Sequence, residues 1–572
     1  MAINMKKGIL VGLFIGLLLG FIDSYTYAIS GYTTSEISLI IVPFLVMAIF
    51  KIIDVRYSSY DLITAIALAF GICMTTTLSS GMYITFGFLR HVSNRLNAYG
   101  MDIAIPEYIF SGSFPDLVAL PTYIALALIS FGGALIAFAF RNHFIEKERL
   151  KYPIGLASAI LIKLLQKSSI SIKIVVTLII LGFSLQFIAM RMNLVLDLTP
   201  IVSTVAPGAV LALSFWPILI GLLVLIPLYP LKSISMGSVS TYLLLIPLSI
   251  ALFSVKTAPA ISYEEALYNY SPISIGLNIG VVLIVTLFYL IIYSTTLYMS
   301  LNMILKMRME GTAFILGVAM ILLMLYLALV IGGISTILIH TLPLIFIHIL
   351  LTLANLRVVG ETGTGSQALL PLVTFYMYFF GFRDIKIYAT LDPYTGIPMP
   401  QVIGGASLNL LRLARLFKYS VVKALLYFGI GIFVGSFTTY IYGNIMTHVY
   451  GFESDYMPLT RWIPCVIWMA SIYSGKLGST SISVIVLGAF IGLLIVIAGL
   501  RKVLSPFGFV VGMTMPPDIG VLSLVVYAIK MLMVRLGVEV HEKMIIFAIL
   551  FLLGCGIAVI FNTILYLVVG VG

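Results

Sequence analysis

The chain has 572 residues, of which 61% are hydrophobic and 9% charged, and its formal net charge is +11. A soluble globular protein carries roughly 25% charged residues, so no soluble fold of this length hides that much apolar surface. The basic excess, which on a soluble chain would point to nucleic acid, falls at the ends of apolar runs and reads as membrane orientation.

The expected fold class is therefore an all-α polytopic membrane protein. Crossing the hydrocarbon core takes about 18–20 apolar residues as a helix. In chain order the candidate spans are 9–29, 37–53, 61–89, 117–140, 172–190, 209–230, 234–255, 273–305, 312–333, 334–357, 367–382, 421–442, 481–500, 506–535 and 545–569. Segments 153–165, 402–416 and 462–475 are shorter or more polar and read as half-helices or surface helices. Roughly fourteen to sixteen transmembrane helices follow. The stretches 90–116, 256–272, 383–401 and 443–461 read as loops. The ten-residue alternation of an outer-membrane barrel is absent.

Lys6 and Lys7 precede the first span, Lys51 and Arg56 follow the second, and Arg141, Lys147, Arg149 and Lys151 follow the fourth. A cytoplasmic N-terminus satisfies all of these, with Arg90 and Arg95 counting against it. The three cysteines, Cys73, Cys465 and Cys555, form no CxxC pair, and the six histidines no HExxH. No phosphate-binding GxxxxGK[ST] is present. No metal or other cofactor is expected. The expected partners are a small-molecule or peptide substrate, protons and the bilayer, with a homo-oligomer left open and no nucleic acid.

The two halves of the chain resemble each other. GLASAILIKLLQ from Gly155 aligns with GGASLNLLRLAR from Gly404, matching Gly, Ala, Ser and two leucines, and each follows a proline, Pro153 or Pro400. PISIGLNIGVV from Pro272 aligns with PPDIGVLSLVV from Pro516. Two matches in the same order suggest repeat-related halves, 1–300 and 301–572, with parallel or inverted geometry left open.

Helix breaks mark the candidate site. Pro153 with Gly155, Pro400, and Pro516 with Pro517 interrupt apolar segments, and such breaks persist in membranes where freed backbone groups face protein or a wet cavity. Ionisable residues at membrane depth are the other signal. Asp23 lies late in the first span. Asp518 follows two prolines and reads either as a helix cap or as a proton or cation site. His340 and His348 are eight residues apart, so they cannot chelate one metal from adjacent turns, and they read as packing residues or a proton relay. The densest polar region is 352–401, with Arg357, Glu361, Gln367, Asp384, Lys386 and Gln401 as candidates for substrate binding or proton coupling. Its Gly360-Glu361-Thr362-Gly363 segment reads either as a solvated connection or as the wall of a polar cleft.

These same blocks carry a resemblance. Residues 146–157, EKERLKYPIGLA, resemble the first-half L-x-F/Y-P-x-G-x-A block of the oligopeptide transporter superfamily, which includes the yellow-stripe metal-chelate transporters. Residues 383–401, with Asp384, Lys386, Thr390, Pro393 and Gln401, resemble its second-half D-L-K-T-G…P…Q block. Residues 506–520, PFGFVVGMTMPPDIG, resemble its G-x-x-x-x-P-P helix. Ile387-Tyr388 stands where that family has Thr-Gly, and Ile154 where it often has Ser. The order and spacing agree from about residue 140 onward. The resemblance implies a proton-coupled secondary transporter of about sixteen helices that moves small peptides or metal–ligand complexes. The rival readings are an intramembrane lipid-linked transferase, for which Glu146/Glu148 and Arg383/Asp384 are the only clustered charges, and a structural or channel-like subunit.

Overall fold

The computed structural model describes residues 2–30, 37–98, 103–167, 171–192, 195–253, 260, 262–332, 337–364, 372–382, 399–454, 457, 470 and 482–569. In chain order the helices are α1 (Ala2–Ser30), α2 (Ser38–Ile52), α3 (Ser59–Thr76), α4 (Met82–Ala98), α5 (Leu120–Asn142), α6 (Pro153–Lys167) and α7 (Ile172–Met192). There follow α8 (Thr199–Val205), α9 (Pro217–Leu225), α10 (Leu228–Ser240), α11 (Ile246–Phe253), α12 (Tyr263–Asn269), α13 (Ser271–Lys306), α14 (Arg308–Gly332) and α15 (Ile337–Thr362). The last are α16 (Leu372–Phe379), α17 (Met399–Leu416), α18 (Val421–Val449), α19 (Ile482–Leu500), α20 (Pro506–Thr514), α21 (Pro517–Leu536) and α22 (Val538–Val569). Single π-helical turns at Thr77–Gly81 and Thr241–Leu245 join α3 to α4 and α10 to α11, and a third, His143–Lys147, ends α5. A short antiparallel pair, β1 (Val195–Asp197) and β2 (Ala212–Ser214), sits between α7 and α9.

Among the described residues, 11 helical stretches are long and apolar enough to cross a membrane. The protein is a multi-pass, all-α membrane protein. Large apolar side chains face outward along α7 (Ile174, Ile180, Leu181), α13 (Leu283, Leu287, Ile291) and α21 (Leu524, Val525, Leu532). In water such a surface would aggregate, and in lipid it is the solvent-facing side.

Glycine seams hold the bundle together. A lipid tail is as apolar as leucine, so helices in a bilayer associate by close packing, and small residues let backbones approach. On α1, a Cβ at Gly8 would lie 2.6 Å from the Asp61 carbonyl oxygen and one at Gly12 2.7 Å from that of Ala65. Both partners climb together, so α1 and α3 run parallel. Gly71 meets Gly431, and Gly435 meets Ile72, which lays α18 parallel to α3 on its other side. Gly488 and Gly492 seat α19 along Leu277 and Val281 of α13, again parallel.

Four expected elements differ. The 209–230 span is β2 followed by a nine-residue helix, because Pro217 opens α9 and Pro227 stops it from joining α10. Helix persists through 90–98, beyond the expected end of the third span, and α18 runs to Val449, inside the expected 443–461 loop. Gly360-Glu361-Thr362 belongs to the last turn of α15 rather than to a loop, and the chain turns only at Gly363, whose φ is +90°. The 506–535 run is cut in two at Pro516-Pro517, as its prolines predict.

Candidate functional site

Helix α15 brings Arg357 and Glu361 onto one face, four residues apart. Arg357 Nε donates to Glu361 Oε1 at 3.2 Å. Its Nη1 donates to Glu148 Oε2 at 2.7 Å, so a single guanidinium bridges two carboxylates. All three side chains are largely buried, at 18%, 8% and 12% exposure for Arg357, Glu148 and Glu361. With His143 neutral, the group carries a formal charge of −1. Removing such charges from water is costly unless each lone pair and proton is matched, and here the matching is close to complete. Glu148 Oε1 accepts from the Tyr289 hydroxyl at 3.1 Å and lies 2.8 Å from His143 Nε2. Glu361 Oε2 accepts from the Ser505 hydroxyl.

Local folding places each partner. The π-helical turn at the end of α5 swings His143 and Glu148 to the same side, its Glu148 N–H bonding back to the His143 carbonyl at 2.9 Å. The chain then passes Arg149 and Tyr152, both at positive φ, an uncommon conformation for such residues. Tyr152 fixes that turn against α15: its N–H donates to Gly360 O at 3.0 Å and its hydroxyl to Leu356 O at 3.1 Å. Burial, with Glu148 adding to it, pushes the Tyr152 hydroxyl well above its usual range, so it stays a donor. Ser505 caps α20, accepting from Gly508 N–H at 3.0 Å, which aims its own proton at Glu361.

Above this network lies a cavity of about 120 Å³, lined among others by Tyr229, Tyr289, Tyr293, Arg357, Glu361 and Phe507. The guanidinium carbon of Arg357 sits 5.1, 4.9 and 5.8 Å from the ring centres of Tyr289, Tyr293 and Phe507. Aromatic faces stabilise a cation that has lost its water. The cavity is smaller than the roughly 300–1,000 Å³ of a typical ligand pocket. A cavity of that size holds a small chemical group, not a whole peptide. The chain matches no known protein-family model, and a comparison with curated proteins finds no match.

The other sequence candidates lie apart from this network. Gln401 is buried in α17; its carbonyl accepts from Asn355 Nδ2 at 2.7 Å, and its own Nε2 has no partner among the described residues. Asp518 is buried near the start of α21 and accepts from the Tyr263 hydroxyl at 2.5 Å, so it ties α12 to α21 rather than capping its own helix. Pro153 and Gly155 open α6, where the Gly155 N–H donates to Asn409 Oδ1 at 3.1 Å. Pro400 sits in the first turn of α17, its carbonyl pressed on Gly133 of α5. Pro516 and Pro517 separate α20 from α21. Gln367, Asp384 and Lys386 lie outside the described residues. His340 packs on Tyr376, with Nδ1 2.7 Å from its hydroxyl, while neither ring nitrogen of the buried His348 has a partner among the described residues.

Sequence reading missed His143, Tyr289 and Ser505, and weighed Glu148 only for the transferase reading. One signal was present: two carboxylates, Glu146 and Glu148, at the end of an apolar span inside the 146–157 block. The basic residues around them were read as orientation, which hid the carboxylates' own significance.

Proposed function

We propose that this protein is a proton-coupled secondary transporter of the oligopeptide-transporter type, with the Glu148–Arg357–Glu361 group as its coupling and substrate site. The observation that carries this reading is two buried carboxylates sharing one arginine beneath an aromatic cavity. A proton arriving on either carboxylate removes its charge and weakens one of the two contacts that hold the guanidinium. Arg357 is then freed to take an anionic group of the substrate, such as a carboxylate, by the paired geometry arginine favours. Loss of the proton returns Arg357 to its own carboxylates and weakens the substrate's hold. Proton and substrate thus occupy the site together, which is the requirement for symport. In this reading the N-terminus and the 141–151 segment face the cytoplasm of a cell-membrane protein.

Purified protein in proteoliposomes tests the proposal with a panel of small peptides and metal chelates. Wild type is expected to accumulate at least one of them under an inward proton gradient. Glu361→Gln, which keeps shape and removes charge, should abolish that accumulation while the protein stays folded. A folded wild type that accumulates none of the panel overturns the transport reading. Uptake and pH dependence in Glu361→Gln equal to wild type would remove Glu361 from the coupling step.

A further inference from the structure

We infer that Glu148 receives its proton through a built path, Ser300 to His143 to Glu148, that opens on the membrane face where Lys147 lies. The inference deepens the proposed function only in taking Glu148 as a carboxylate that binds a proton.

The path is a run of short contacts from exposed to buried. Lys147 is exposed, and its Nζ donates to Ser300 Oγ on α13 at 3.1 Å. Ser300 is buried, and its Oγ lies 2.8 Å from His143 Nδ1. His143 is buried, and its Nε2 lies 2.8 Å from Glu148 Oε1. An ionised Glu148 only accepts, so the proton of a neutral His143 lies on Nε2 and is donated to it. Nδ1 is then an acceptor, and the Ser300 hydroxyl donates to it while accepting from the Lys147 ammonium. A neutral histidine set this way has one nitrogen facing the serine and one proton aimed at the carboxylate.

The step balances with one proton. Water delivers H⁺ to the Ser300 hydroxyl, which passes its own proton to Nδ1 and keeps the new one. The Nε2 proton moves to Glu148 Oε1, making a neutral carboxyl. The ring is left as the Nδ1–H tautomer and resets by rotation; the reverse transfer is the route by which Glu148 gives its proton back. On its own segment Glu148 contacts one ring nitrogen of His143, and Lys147 meets the Ser300 hydroxyl beside the other. Across from α14, Glu310 is neutralised by Arg141 at 2.6 Å. From α15, Arg357 meets Glu148 from its far side, and α13 contributes Tyr289 and Ser300. Phe140 and Phe144 pack on the imidazole edge.

The test reads the carboxyl proton directly and needs no substrate. Protein in lipid is taken rapidly from about pH 8 to about pH 5, a range spanning ordinary histidine and glutamate values, and followed by time-resolved infrared difference spectroscopy. Wild type should show a protonated-carboxyl band that disappears in Glu148→Gln. In His143→Gln and in Ser300→Ala the same band should form at least about tenfold more slowly, the scale of losing a positioned acid–base group. In Lys147→Met, which leaves the relay atoms in place, it should form within about twofold of wild type. Equal rates in wild type, His143→Gln and Ser300→Ala overturn the path, as does a wild-type band untouched by Glu148→Gln. Failure of the transport reading would show instead in the uptake assay and would leave these rates as they are.

Discussion

The backbone N–H of Gly155 donates to the side chain of Asn409 at 3.1 Å, and the Asn409 amide in turn donates to the Gly363 carbonyl at 2.8 Å. One side chain thus joins the starts of two chain segments, α6 and the turn after α15, to the middle of α17. A Cβ at Gly155 would lie 2.2 Å from the Asn409 carbonyl oxygen, a distance no side chain tolerates without moving backbone.

Gly155→Ala should therefore lower stability by about 1–3 kcal/mol, the range for overpacking a fitted interface. Asn409→Ala should lower it by a similar amount, because it leaves a buried N–H and a buried carbonyl unmatched, at about 1–3 kcal/mol per group. Thermal unfolding in one detergent compares both with wild type. An unchanged midpoint in Gly155→Ala would mean that α6 and α17 separate more easily than their contact indicates.

Arg357 is expected to be irreplaceable by lysine. A lysine ammonium can meet one carboxylate well but has no planar fork with which to span two. Arg357→Met strands both carboxylates and should cost about 3–5 kcal/mol, as when one partner of a buried ion pair is removed. Arg357→Lys should fall between that and wild type. Adding Glu148→Gln and Glu361→Gln to Arg357→Met should recover much of the loss, because the stranded charges then disappear. Chemical unfolding in mixed micelles measures all three.

Lys530 presents a buried cation of another kind. From α21 its Nζ donates to the carbonyls of Val224 and Ile226, each at 2.6 Å, at the C-terminal end of α9. A short helix that ends buried leaves carbonyls without partners, and a cation there satisfies them and meets the negative end of the helix dipole. Lys530→Met keeps the aliphatic stem and removes the ammonium, so it should cost about 1.5–3 kcal/mol, the worth of charged hydrogen bonds. Hydrogen exchange should show the loss first in α9. Protection of α9 equal to wild type would exclude the cap.

Glu453 ties the turn after α18 to α4 through Arg95, at 2.5 Å. The hydrogen bond from Arg95, with its charge and that of His91, holds the exposed Glu453 carboxyl below the usual carboxylate range. A depressed folded value stabilises the folded form above the ordinary carboxylate range, and the effect fades as pH falls through the folded value. Exchange protection of the 450–454 backbone should therefore weaken in acid, and less so at high salt, since an exposed pair is screened. Glu453→Gln should show neither dependence.

The membrane class, most of the spans and the pairing of Arg357 with Glu361 were legible in the sequence because each has a local cause. Apolar length gives a crossing, and residues four apart on a helix share a face. The helical state of Glu361 was not legible, because Gly360 and Gly363 look alike in sequence while only Gly363 turns the chain. Glu148 and Ser505 reach the site from 209 and 144 residues away, and nothing local announces that. The 209–230 segment has the apolar length of a span, and its Pro217 and Pro227 count for more than its hydropathy.

Ser505 belongs to two structures at once. Its oxygen accepts the first free N–H of α20, and its proton rests on Glu361. The oxygen that starts α20 therefore also positions the Glu361 side chain, so a shift of either element is felt at the other. With the Pro516-Pro517 break at its far end, α20 is a short segment fastened to α15 at one end and released from α21 at the other.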